Sequence, residues 1–205
     1  CNRIMMEELL EKDLAIGNAL IDFYAKHGMF AEAQSVFEQL STPDVVSWNV
    51  LISAYAQQGE IMNVGNIFDK MVEHGINPTL VTFVNILKAC SQKGLFDEAQ
   101  IYYEAMNKVY GVLPTVEHHN CMIDLLGRAG HLDKVVTMIN KIQGYGNLVI
   151  WHGVLDACRQ WGNLEFAKQA FQHALQLDKK DAAAYILMSC IYASNTAIPG
   201  EEEKD

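Results

Sequence analysis

The chain has 205 residues, half of them apolar, with 15 lysines and arginines against 25 aspartates and glutamates, for a net charge of −10. That composition excludes a disordered chain and allows one continuous core. It also excludes nucleic-acid binding driven by bulk positive charge, because phosphate contacts normally come with a basic surface.

The opening residues, CNRIMMEELLEKD, lack the basic start and apolar run of a signal peptide and read as the end of a preceding helical unit, so any targeting segment is expected upstream. From there the apolar residues recur at helical spacing almost throughout. First helices are predicted over 17–27, 48–58, 83–93, 119–129 and 151–161, each followed by a second, over 30–41, 61–74, 96–109, 132–143 and 164–177. A further helix is predicted over 182–194, before Pro199, Gly200 and an acidic run, where a frayed end is expected. No apolar stretch reaches the roughly eighteen residues that a membrane span needs. Cys1, Cys90, Cys121, Cys158 and Cys190 are odd in number, far apart and set among apolar residues, which suits reduced core thiols rather than a disulfide framework.

The helix pairs repeat. A glycine closes the first helix at Gly28, Gly59, Gly94, Gly130 and Gly162, in steps of 31, 35, 36 and 32. Ten residues before each stand Asn18, Asn49, Val84, Asn120 and His152, and nine after each stand Phe37, Phe68, Tyr103, Ile139 and Phe171. The pairs Leu20/Ile21, Leu51/Ile52, Ile86/Leu87, Met122/Ile123 and Val154/Leu155 mark the buried stripe of each first helix. Glycine suits a left-handed C-cap, and Pro43, Pro78 and Pro114 fall between units, where a helix has to stop. One helix pair cannot bury its apolar face alone. The expected fold is therefore all-α, a right-handed α-solenoid of stacked helix-turn-helix repeats with the first helices lining one surface.

Unit lengths alternating near 31, 35 and 36, and the segments VVSWN, MIDLLGRAG and CIYAS, resemble the plant-type pentatricopeptide repeat family, in its class of short, standard and long units. On that resemblance residues 1–13 end a preceding repeat, 14–44 form a short unit, 45–79 a standard unit, 80–115 a long unit and 116–147 the last short unit. Residues 148–181 resemble the extension motif that follows such arrays, and 182–205 a partial second extension motif with an acidic tail. The resemblance implies recognition of single-stranded RNA at one base per unit. The fifth residue of each unit would meet the base edge with help from the last, giving the pairs Asn18 with Asp44, Asn49 with Thr79, Val84 with Thr115, and Asn120 with Asn147. The second residues, Ala15, Val46, Val81 and Glu117, would pack against the base. An asparagine amide fits this role because it offers a donor and an acceptor in one plane. The implied footprint, 5′ to 3′, is U, pyrimidine, any base, pyrimidine. The resemblance further implies an organellar factor for C-to-U RNA editing, mitochondrial or alternatively chloroplastic. A cytidine deaminase domain in cis or trans, and other editing factors, would be its partners. RNA stabilisation or splicing without editing, and a protein-binding solenoid, are the alternatives.

No chemistry of catalysis, cofactor, small-molecule substrate or metal is expected of the chain itself. The deaminase signature, HExxH, paired CxxC motifs and a phosphate-binding glycine loop are absent, and GYGN at 144–147 reads as a unit-end turn. His118 and His119 beside Glu117 do not make a metal site, since adjacent helical side chains diverge by about 100°. Trp48 and Trp151 read as core rather than base-stacking platforms, with Trp161 at a helix end left open. His152 reads as structural or as a partner contact. For the asparagines, N-capping and base contact are both open. In the predicted windows the first helices carry Lys26, Lys88, Lys93, Arg128 and Arg159 against Asp22, Asp124 and Asp156, a mildly basic surface.

Overall fold

The computed structural model describes residues 13–129, 131–141 and 147–196, with backbone alone at Leu132, Asn140, Lys141, Asn147 and Thr196. Among them are eleven α-helices and no strand: α1 Leu14–Lys26, α2 Phe30–Glu38, α3 Val45–Gln57, α4 Ile61–Glu73, α5 Leu80–Lys93, α6 Phe96–Lys108, α7 Val116–Arg128, α8 Leu132–Lys141, α9 Asn147–Trp161, α10 Leu164–Leu177 and α11 Ala182–Thr196. They form two compact units that divide between His118 and His119.

In the first unit α1, α3 and α5 each pack against the helix that follows in the chain, and α3 also packs against α1 and α5, so α1, α3 and α5 lie side by side. In the second, α9 packs on α10 and both pack on α11. The predicted stripe is the core: Ile21, Leu51, Ile52, Ile86, Leu87, Met122, Ile123, Val154 and Leu155 are buried, and Leu20 is half-buried. Truncating one such residue to alanine costs about 2–5 kcal/mol. Of the predicted second-helix anchors, Phe37, Phe68 and Ile139 are buried, while Tyr103 and Phe171 are half-buried.

The glycines behave as their chemistry requires. Gly28, Gly59, Gly94 and Gly162 have φ of 73°, 68°, 70° and 66°. Beyond them the N–H groups of Met29, Glu60, Leu95 and Asn163 turn back to the carbonyls of Tyr24, Tyr55, Cys90 and Cys158 at 2.9, 3.1, 3.0 and 3.1 Å. These bonds satisfy carbonyls that the helix end leaves open.

The first helices start three or four residues before the predicted positions. The cause is capping. Asp13 Oδ1 accepts the N–H groups of Ala15 and Ile16, and Asp44 Oδ1 accepts that of Ser47 at 2.9 Å. A helix begins after its cap, so Asn18, Asn49 and Asn120 stand at the fifth helical position and are not N-caps. Cys90, Cys121 and Cys158 are buried and in no disulfide, as expected, but Cys190 is exposed on α11. Cys1, Gly130, the turn at 144–146 and the segment with Pro199 and Gly200 lie outside the described residues. No helix of the described residues is long and apolar enough to cross a membrane.

Candidate nucleic-acid interface

Asp44, Thr79 and Thr115, the last residues of the first three predicted units, each stand directly before the next first helix, and this fixes the geometry of the candidate site; Asn147 is already the first residue of α9. Three residues beyond each cap a side chain reaches back to the cap's own N–H: Ser47 Oγ to Asp44 at 3.3 Å, Thr82 Oγ1 to Thr79 at 2.9 Å, and His118 Nδ1 to Thr115 at 3.2 Å. Each satisfies a donor that the helix start would otherwise leave unpaired. Because His118 Nδ1 accepts, Nε2 carries the proton and donates to the Leu80 carbonyl at 3.0 Å. Burial holds the His118 imidazole below its ordinary pKa; the Leu80 bond and Glu117 act in the opposite direction, and Lys88 reinforces the lowering. Sequence reasoning missed Ser47, Thr82 and His118. Their position three residues after each unit end, and their ability to accept a hydrogen bond, was the available signal.

The fifth residues differ sharply. Asn49 is buried and closes a ring: its Nδ2 donates to Thr79 Oγ1 at 3.4 Å, and Thr82 Oγ1 donates to its Oδ1 at 2.6 Å. The predicted pair Asn49 with Thr79 is thus brought together. Asn18 is half-buried, with its Oδ1 buried and without a hydrogen-bond partner. Ser47 does not reach it, because the serine hydroxyl lies 3.1 Å from Asp44 Oδ1. Val84 is buried and apolar, while Thr115 Oγ1 lies 2.7 Å from His118 Nδ1, so this pair carries no amide. Asn120 is exposed, and the side chain of its predicted partner Asn147 lies outside the described residues. The second residues Ala15, Val46, Val81 and Glu117 are all exposed, Val46 by 50% and Val81 by 53%.

In the second unit Asn120, Asp124, Gly153, Asp156 and Gln160 surround a pocket of about 180 Å3 between α7 and α9. Next to it His152 Nε2 is paired with Asp181 Oδ2, and Asp181 Oδ1 accepts the Ala183 N–H at the start of α11. The His152 hydrogen bond holds the Asp181 carboxyl below its usual range. His152 is therefore structural in this unit, tying α9 to the start of α11. Trp48 packs between Phe37 and His74 at 4.7 and 5.4 Å, and Trp151 stacks on His173 at 4.5 Å, both as core. Trp161 lies over Gly127: a Cβ there would stand 1.6 Å from its ring.

The charge of the first helices is more balanced than the sequence windows suggest, because the longer α7 adds Glu117. Lys26, Arg128 and Arg159 pair with Asp22, Asp124 and Asp156 one turn away. Lys88 and Lys93 on α5 are both exposed, and the Lys93 stem arches over Gly59 at the end of α3. Among the described residues no group of three or more His, Cys, Asp or Glu side chains is placed to hold a metal ion.

Residues 43–92 match the PPR repeat family, and 18–42, 81–109 and 117–147 match the PPR repeat, together more than half of the chain. The chain belongs to the pentatricopeptide repeat family. Its unit over 149–181 matches the tetratricopeptide repeat instead. Among curated relatives, it is 39% identical over 193 residues to a mitochondrial pentatricopeptide repeat-containing protein of Arabidopsis thaliana, covering 94% of this chain and 31% of that protein. It is also 39% identical over 184 residues to the chloroplastic Arabidopsis thaliana protein CRR2, covering 90% of this chain and 28% of that one. This pentatricopeptide repeat chain spans about a third of the length of these relatives. Among solved structures, the maize pentatricopeptide repeat protein PPR10 superposes with a TM-score of 0.72 at 22% identity, over 85% of this chain and 26% of that one. PPR10 in complex with an 18-nt psaJ RNA element gives 0.62 at 20% identity, over 88% and 31%. These likenesses establish the fold as that of helical repeat solenoids.

Proposed function

We propose that the chain binds single-stranded RNA at one base per unit, with units 14–44, 45–79, 80–115 and 116–147 meeting four successive bases. The observation that carries this reading is in the first compact unit. On the adjacent helices α1, α3 and α5, an exposed apolar residue at the second position (Ala15, Val46, Val81) lies three residues before the fifth. Such a row clamps a base face, while an amide at the fifth position meets the base edge. Asn18 with Asp44 then favours uridine, Asn49 with Thr79 and Asn120 with Asn147 favour pyrimidines, and Val84 with Thr115 leaves its base unread. That PPR10 was crystallised with an RNA element supports the same reading.

Within this proposal the chain serves an organellar RNA-editing factor, in a mitochondrion or alternatively a chloroplast. The unit 148–181 would recruit a cytidine deaminase, in cis or trans, beside the bound bases. The support is its position after the last short unit and its His152–Asp181 pair, which engages the fifth and last positions with each other rather than with a base.

The test is binding of the chain to a single-stranded RNA of the pattern U, pyrimidine, any base, pyrimidine, against a purine-substituted control. Asn49→Ala is expected to weaken the matched RNA about fivefold, the worth of roughly one hydrogen bond, and to leave the control unchanged. Equal binding of both RNAs, or none, would favour a protein-binding solenoid, which the net charge of −10 suits better.

A further inference from the structure

The ring at Asn49 holds a second determinant of base reading, in the unit that follows. Thr82 Oγ1 accepts the Thr79 N–H at 2.9 Å, so its own hydrogen can turn to Thr79 Oγ1 at 3.3 Å or to the closer Asn49 Oδ1. It meets Asn49 Oδ1 at 2.6 Å, a distance that suits O–H donation to a carbonyl oxygen better than N–H donation from an amide. The other end of the same amide donates to Thr79 Oγ1 at 3.4 Å, so the two ends of the amide have different partners. The amide therefore has one orientation. One N–H and one oxygen lone pair remain free, and a pyrimidine edge presents the matching donor and acceptor.

Asn18 supplies an internal contrast. Ser47, at the position equivalent to Thr82, lies 3.1 Å from Asp44 Oδ1, and a carboxylate can only accept, so the serine hydrogen goes there. Asn18 Oδ1 is left without a partner. One and the same position of the fold orients the reader of the preceding unit in one case and not in the other.

We propose that Thr82 is a positioning residue for base recognition, acting through Asn49 by fixing which edge of its amide faces the RNA. The proposal rests on the RNA-reading function above. With the hydroxyl removed, the amide is free to flip, and the two orientations present opposite donor and acceptor patterns. Discrimination between bases then falls while contacts to the backbone are untouched.

The experiment has two arms, so that this proposal and the RNA-reading function fail separately. In the first, the side-chain amide protons of the unbound chain are followed by NMR. The ring predicts that the Asn49 Nδ2 proton donated to Thr79 Oγ1 exchanges with solvent at least tenfold more slowly than the side-chain amide protons of exposed Asn120, and that Thr82→Ser keeps this protection while Thr82→Val abolishes it. Exchange of Asn49 as fast as that of Asn120 in the wild-type chain overturns the proposal without any variant having to fold. In the second arm, the matched RNA and one with a purine at its second base are titrated against wild type, Thr82→Val, Thr82→Ser and Ser47→Ala. The expected result is a three- to tenfold loss of preference at that base in Thr82→Val, its recovery in Thr82→Ser, and no loss at the first base in Ser47→Ala. A wild-type preference that Thr82→Val keeps in full overturns the proposal. No preference in the wild type overturns RNA reading itself and leaves the NMR arm to decide the ring.

Discussion

His118 stands where Ser47 and Thr82 stand in the two preceding units, but it alone of the three can be protonated near neutral pH. Its Nδ1 lone pair accepts the Thr115 N–H, and a proton on that atom would break this bond, with the Thr115 hydroxyl at 2.7 Å as the acceptor left beside it. Burial has lowered its folded pKa below the ordinary 6.5, so the unfolded chain binds the proton more readily. The stabilisation from neutral His118 is therefore complete above 6.5 and is lost as the pH falls through the lowered folded value. Melting temperatures at about pH 7.5 and about pH 5 should differ in the wild type and converge in His118→Ser, whose hydroxyl can accept the same bond. An unchanged pH dependence in His118→Ser would show that other groups carry it. Asp181 is lowered too, but its contribution is lost only as the pH falls below the carboxylate range, outside this window.

At the scale of elements, Gly127 and Trp161 show how α7 and α9 meet in the second unit. Replacing a helical glycine by alanine ordinarily gains about 1 kcal/mol. Here the new methyl carbon would stand 1.6 to 2.1 Å from three ring atoms of Trp161, and relieving such a clash costs about 1–3 kcal/mol. Overpacking wins, so Gly127→Ala should lower thermal stability, and the same change in a Trp161→Leu background should be neutral or stabilising. Equal effects in both backgrounds would remove the indole as the cause. The existence, pairing and buried stripe of these helices were legible from the ten-residue offset and the glycines, because both follow from local chemistry. Their starts were not. Asparagine looks like a cap, and nothing in the pattern alone ranks Asn49 below Asp44 as the residue that ends the extended backbone. The same shortfall hid Thr82, whose role depends on a partner 33 positions away. It also hid the burial of Asn49, which only the packing of α3 against α5 decides.

For the whole molecule, charge sets the expected binding mode. With three of the basic side chains on the first helices paired to neighbouring carboxylates, Lys88 and Lys93 are the main cations left on those helices for phosphate contact. Single-stranded nucleic acid releases about 0.7 counterion per phosphate neutralised, so log K against log salt should have a slope of about −1.4. A slope several times steeper would place the RNA on a surface other than the first helices. The sequence showed the charges of these helices but not their pairing, which depends on the turn-by-turn spacing of each acid and base.

The ring at Asn49 also bears on how such arrays can be cut and recombined. A segment taken as 45–79 carries Asn49 and Thr79 but leaves Thr82 behind, so the periodicity of the chain and that of its hydrogen-bonded circuit are three residues out of phase. A transplantable module runs through Thr82. Grafts that end at residue 79 inherit whatever hydroxyl, carboxylate-bound serine or imidazole the recipient supplies, and their selectivity will vary with the neighbour they are joined to.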